Sequence, residues 1–330
     1  MAVEFAGRRP YARCVMSHAR PSNGIAPLDI AALLFLGAVW GGAFLFYRIA
    51  APEVGPLWTA EIRVVIAALA LIAVVGRPTA RAVRGRIRPF AIVGLTFSAV
   101  PFALIAVASL TLPTGLAALL NATTPLFTAL IGAAWLGSRI SSRVMAGLGV
   151  GLASVLVLVG WSPLEPGPET VVAAAASLGA ALSYAFAGTF VRRSLPNVRP
   201  IELAAGQLAT AAVLLLPLAV VTGPPPVPTP GAAGALVALG IASTAVAWPI
   251  FFGVLGRTSP TIASTVTFIV PGFGILWGGL VLGEAIGPGT ALGFGLVLVS
   301  LVLVLGLRLS RPALAPRFDA ARARWLASAR

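Results

Sequence analysis

At 330 residues, 58% hydrophobic and 10% charged, with a mean hydropathy of +0.99, the chain is too apolar to be a water-soluble globular domain. A net charge of +14 would suggest nucleic acid in a soluble protein, but every basic residue here is arginine and most stand between apolar runs, where they mark topology. The single Cys14 and single His18 exclude an intrachain disulfide or a Cys/His metal site.

Residues 1–27 form a polar tail with Arg8, Arg9, Arg13 and Arg20 and no apolar h-region, so the tail is expected to stay on the chain. Whether translation begins at Met1 or Met16 is open. Beyond it, apolar runs at roughly 28–48, 57–76, 89–109, 113–136, 144–161, 170–191, 201–221, 231–255, 259–282 and 288–308 predict ten transmembrane helices. The expected fold class is therefore an all-α integral membrane protein. Arginine fills the even loops: Arg77, Arg81, Arg84, Arg86 and Arg88, then Arg139 and Arg143, then Arg192, Arg193 and Arg199, then Arg257. Odd loops carry Glu53, Glu165, Glu169 and Glu284, with an uncharged proline run at 223–230. The positive-inside rule then puts both termini, including the basic tail 309–330, in the cytoplasm, with the inner membrane as the lipid partner.

Sliding the halves by 146 positions aligns Pro125 with Pro271, Gly132 with Gly278, Gly147 with Gly293, Ser154 with Ser300 and Gly160 with Gly306. A nearby offset aligns Pro56 with Pro200 and Arg48 with Arg192. Two five-helix units, 28–161 and 170–308, follow. An odd number of spans per unit makes the second enter the membrane from the opposite side, and such inverted repeats suit alternating access to a central site.

Trp40-Gly41-Gly42-Ala43-Phe44, Ala60-Glu61-Ile62-Arg63, the stretch from Gly115 through Pro125-Leu126-Phe127, and Pro271 to Gly283-Glu284 resemble the EamA repeats of the drug/metabolite transporter superfamily. The resemblance covers roughly 28–308 and implies a ten-helix permease with a central cavity, exporting amino acids, metabolites or drugs. The glutamate after the glycine ending each unit's fourth helix is present as Glu284 but is Ser138 in the first unit, and Arg63 is matched by Gln207.

Polar side chains in lipid are costly and commonly retained for use. Arg63 lies about two turns into the second span and would capture a carboxylate or phosphate through its planar fork, or else tie helices together. Glu61, two residues away and on another face, is the candidate for proton coupling. Trp40 and Tyr184 hold comparable places in the two units and could line a cavity. Pro125 and Pro271 cannot donate helical hydrogen bonds, so each should free a carbonyl four residues back, at Asn121 and Thr267. The stripe Asn121, Pro125, Thr128 and Gly132 and its counterpart Thr267, Pro271, Gly274 and Gly278 are expected to face a substrate path. The substrate-binding candidates are Trp40, Arg63, Asn121, Pro125, Thr128, Tyr184, Gln207, Thr267 and Pro271.

No Walker lysine, His-based zinc motif or Ser/His/Asp set is present, so no cofactor, no metal and no catalytic residue is expected. The leading function is a secondary transporter of a small-molecule substrate, not an enzyme. A membrane-embedded transferase and a non-transporting structural subunit remain as alternatives, and a homodimer is left open.

Overall fold

In the computed structural model the residues described are 26–75, 83–136, 141–161, 167–195, 198–257 and 266–305. Within them lie thirteen α-helices: α1 (Pro27–Val54), α2 (Pro56–Val75), α3 (Ile87–Gly94), α4 (Val100–Thr111), α5 (Thr114–Asn121), α6 (Thr124–Leu136), α7 (Ser142–Gly160), α8 (Pro168–Ser194), α9 (Pro200–Val221), α10 (Pro230–Gly240), α11 (Ala247–Arg257), α12 (Val266–Leu282) and α13 (Pro288–Leu305). Two π-helical turns, Leu95–Ala99 and Ile241–Val246, join α3 to α4 and α10 to α11. With α5 and α6 also in line, these segments make ten spans, as the hydropathy pattern predicts. Seven are long and apolar enough to cross a membrane unaided, and α7, α12 and α13 are shorter apolar helices. The two basic tails and much of the even loops, including Arg77, Arg81 and Arg139, lie outside the described residues.

Prolines open most of the helices at their first turn, where a missing N–H is harmless. Inside, the polar backbone is satisfied by the helices themselves, and the buried surface is largely alanine and leucine, which allows close packing without polar cost. The spans gather into two similar sets. α1, α2, the eighth span and α12 form one, and the third and fourth spans with α8 and α9 form the other, while α7 and α13 pair at the side.

The two π turns occupy equivalent places, 146 positions apart. An extra residue in a helical turn leaves a carbonyl without its usual partner. Each is taken by the first span of the opposite half: the Trp40 indole N–H donates to the Ser243 carbonyl at 3.1 Å, and the Ser183 hydroxyl to that of Thr96 at 2.7 Å. The contact before each turn is reciprocal too. Gly94 lies against α9 near Gln207 and Thr210, and Gly240 against α2 near Arg63 and Ile66, which is the exchange expected across a two-fold axis.

The fourth span departs from the continuous helix read from the sequence, because it breaks at Ala122–Thr123. Pro125 withholds an N–H, and neighbouring hydroxyls fold back: Thr123 donates to the Leu120 carbonyl and Thr124 to that of Asn121, both at 2.7 Å. The Asn121 carbonyl expected to be bare is therefore occupied. Pro271, in contrast, sits inside a continuous α12.

Candidate functional site

A cavity of about 310 Å³ lies between the two four-span sets. Its walls are aromatic. The Trp40 ring centroid lies 5.4 Å from that of Phe251 and 5.7 Å from that of Trp248, and Phe97 bridges to Trp248 at 5.1 Å and to Tyr184 at 5.7 Å. At one end the lining residues Tyr47, Arg63, Phe102 and Ile105 are buried, whereas at the other Gly188, Phe251 and Thr267 are half-buried; Asn121, seven residues into its span, lies about level with Arg63. The cavity is thus blind toward the odd loops and widens toward the even ones.

Arg63 is the charge at the blind end. It lies seven residues into α2 and Tyr47 seven residues before the end of α1, so at 1.5 Å per residue both sit about 10 Å below the odd-loop end. The Arg63 side chain is 5% exposed. Its Nε donates to the Thr244 hydroxyl and its Nη1 to the Tyr47 hydroxyl, each at 2.8 Å, and its Cζ stands 3.7 Å over the Phe102 ring. Thr244 spends its own proton on the Leu239 carbonyl five residues back, a pairing that the π turn provides. The hydroxyl lone pair is thereby held toward the guanidinium. Of five guanidinium N–H groups two are engaged, and no carboxylate among the described residues lies within ion-pair distance. A desolvated cation with a free edge on a cavity is a receptor for an anion.

Of the residues singled out in the sequence, Trp40, Arg63, Asn121, Tyr184 and Thr267 border the cavity, and Pro125, Thr128, Gln207 and Pro271 do not. The Asn121 amide nitrogen is buried without a hydrogen-bond partner. Thr128 is exposed and donates to the Thr124 carbonyl, one helical turn beyond Thr124, where that span leaves the cavity. Gln207 is 1% exposed, and its amide nitrogen has no partner. Glu61 is 3% exposed with one carboxyl oxygen unpartnered, and it lies off the cavity. Tyr47, Phe97, Phe102, Thr244, Trp248 and Phe251 were not among the sequence candidates. The only signals for them were the scarcity of tyrosine, three in the chain, and an intramembrane hydroxyl 146 positions after Ser98.

The model of the EamA-like transporter family matches residues 28–160 and again 171–306. The chain belongs to that family. It is a multi-pass membrane transporter protein built from two EamA repeats. It is also 27% identical over 300 residues to an inner membrane transporter of Escherichia coli K12, YedA, described as uncharacterized, across 86% of this chain and 94% of that one. The YedA proteins of E. coli strains O6:H1 and O157:H7 match equally. A solved crystal structure 20% identical to the chain superposes with a TM-score of 0.59 over 84% of this chain and 96% of the other, a likeness of fold.

Thr244→Val, which keeps shape and deletes the hydroxyl, is expected to raise the substrate concentration for half-maximal flux by roughly fivefold or more, at about 1 kcal/mol per lost hydrogen bond. Thr244→Ser should restore it. Equal flux in all three proteins would show that Thr244 does not position Arg63.

Proposed function

We propose that this protein is a secondary transporter that carries a small amphipathic carboxylate across the inner membrane by alternating access, in the export direction. The supporting observation is Arg63, a buried cation with an unclaimed edge at the blind end of an aromatic cavity between inverted repeats. At about 310 Å³ the cavity is at the small end of ligand sites, which favours a compact metabolite such as an amino acid with an apolar side chain over a large drug. In this reading the carboxylate sits on Arg63 and the apolar part lies among Trp40, Phe97, Tyr184, Trp248 and Phe251. Asn121, at the depth of Arg63, lies beside the same polar end, and Thr267 lies nearer the mouth.

The arginine-rich even loops argue for a cytoplasmic mouth and cytoplasmic termini. Loading from the cytoplasm is what an exporter requires. Glu61, a buried carboxyl off the substrate path, is the residue proposed to carry a coupled proton.

Purified protein in liposomes gives the test. Saturable, counterflow-competent uptake of apolar amino acids, absent for their amides, is expected. No saturable flux of any carboxylate would remove the reading and favour a structural role. Orientation is tested separately: an impermeant thiol reagent on intact cells should label a cysteine at Pro226 and not one at Thr79, and the reverse would invert the topology.

A further inference from the structure

Both carboxyl oxygens of Glu284 accept from one residue on another span. The Thr114 backbone N–H lies 3.0 and 2.8 Å from them, and the Thr114 hydroxyl donates at 3.0 Å. Thr114 opens α5, so the carboxylate meets the positive end of a helix as well as two donors. The turn that aims it is held by Gly283 at φ +66, a left-handed conformation suited to glycine, and by the Glu284 N–H donating to the Gly278 carbonyl at 3.1 Å. The contact joins α12 of one four-span set to α5 of the other, at the odd-loop end where the cavity is blind.

Below the clamp, α5 and α12 approach through small residues. A methyl group at Gly115 would lie 2.6 Å from Ile275, and one at Gly274 would lie 2.9 Å from Ala118. Toward the even-loop end the same two spans separate, since Asn121, Thr267 and Val270 all border the cavity. The repeat pairs Thr114 with Pro260 and Glu284 with Ser138. Proline has no N–H, and serine has neither a charge nor the reach of glutamate. The residues of this clamp are therefore not repeated in sequence at the equivalent positions of the other half.

We propose that Glu284 and Thr114 form a one-sided latch that closes the odd-loop face and sets the resting state open toward the even loops. The inference rests on the alternating-access reading above. Closing the even-loop face requires the two sets to tilt apart at the latch, and the carboxylate is then rehydrated. A hollow of about 20 Å³ bounded by Pro113, Gly115, Ile275, Glu284 and Thr290 leaves room for one water beside it. An exporter with this bias waits ready to load.

Spin labels at Leu110 and Leu280, both exposed near the latched end, measure it in lipid nanodiscs without substrate, so the result does not depend on flux. The unsubstituted protein should give one short distance. Glu284→Ala should add a longer one, raising the open-to-closed ratio at that face about tenfold, equivalent to about 1.4 kcal/mol. Glu284→Gln, which retains one acceptor, should give an intermediate shift. Ser138→Glu with Pro260→Thr, which supplies the missing clamp at the other end, should shift the same ratio in the same direction. A distribution unmoved in both Glu284 variants, whether or not their melting temperatures fall, overturns the latch. Absent flux in the unsubstituted protein would instead strike at the transport reading.

Discussion

Replacing Arg63 by alanine is expected to cut saturable flux by roughly 100-fold or more while membrane levels stay near normal. The reason is the balance of charge in the cavity. Truncating one partner of a buried charge pair costs about 2–5 kcal/mol, much of it from stranding the other charge, and about 3 kcal/mol corresponds to roughly 150-fold. In the proposed reading the stranded charge is that of the substrate carboxylate beside Phe102 and Ile105, with no other cation among the described residues that line the cavity. Arg63→Lys should also be damaging, at roughly tenfold or more, because a point charge cannot hold Thr244, Tyr47 and a carboxylate through one planar fork. Flux and thermal stability measured on the same preparations separate the site from the scaffold. Normal flux in Arg63→Ala protein would remove this residue from the substrate path.

The second large effect is on assembly. Gly94→Val should yield little monodisperse protein, because its Cβ would overlap the Thr210 hydroxyl and stand 2.8 Å from the Gln207 carbonyl oxygen and 2.9 Å from the Ala211 nitrogen. Backbone atoms cannot move aside as a side-chain tip does. Gly240→Val at the equivalent place should be milder, since its nearest neighbour is the Ile66 side chain at 2.5 Å, with the Arg63 carbonyl farther off at 3.3 Å. Gly149→Val has nothing within 4 Å and should be neutral. Overpacking costs of about 1–3 kcal/mol predict that order in a melting series, and equal behaviour of Gly94 and Gly149 would refute it.

The ten spans were legible because apolar length is nearly the whole requirement for crossing a bilayer. The repeat was legible because paired prolines and glycines keep their spacing. Arg63 stood out through depth alone. What holds Arg63 was not legible: Tyr47 comes from the neighbouring span, but Thr244 comes from the other repeat, and no local pattern records which helices meet. The π turns were hidden as well, since a hydrogen-bond shift from i−4 to i−5 needs no particular residue. Asn121, Pro125 and Thr128 share one face only in a continuous helix. The span breaks instead at Ala122–Thr123, where two threonine hydroxyls take the Leu120 and Asn121 carbonyls.

The 181-residue separation between Arg63 and Thr244 bears on how the protein is made. Ribosomes add about 5–20 residues per second, so the guanidinium waits roughly 10–35 s after synthesis before its hydroxyl acceptor exists. During that interval the nascent second span holds both Glu61 and Arg63 in or near lipid, with Tyr47 the one acceptor already made. Intramembrane quality control would meet the first five spans as an unfinished, charge-bearing fragment. Expressed alone, that fragment should be degraded, and supplying the second repeat as a separate chain should rescue it.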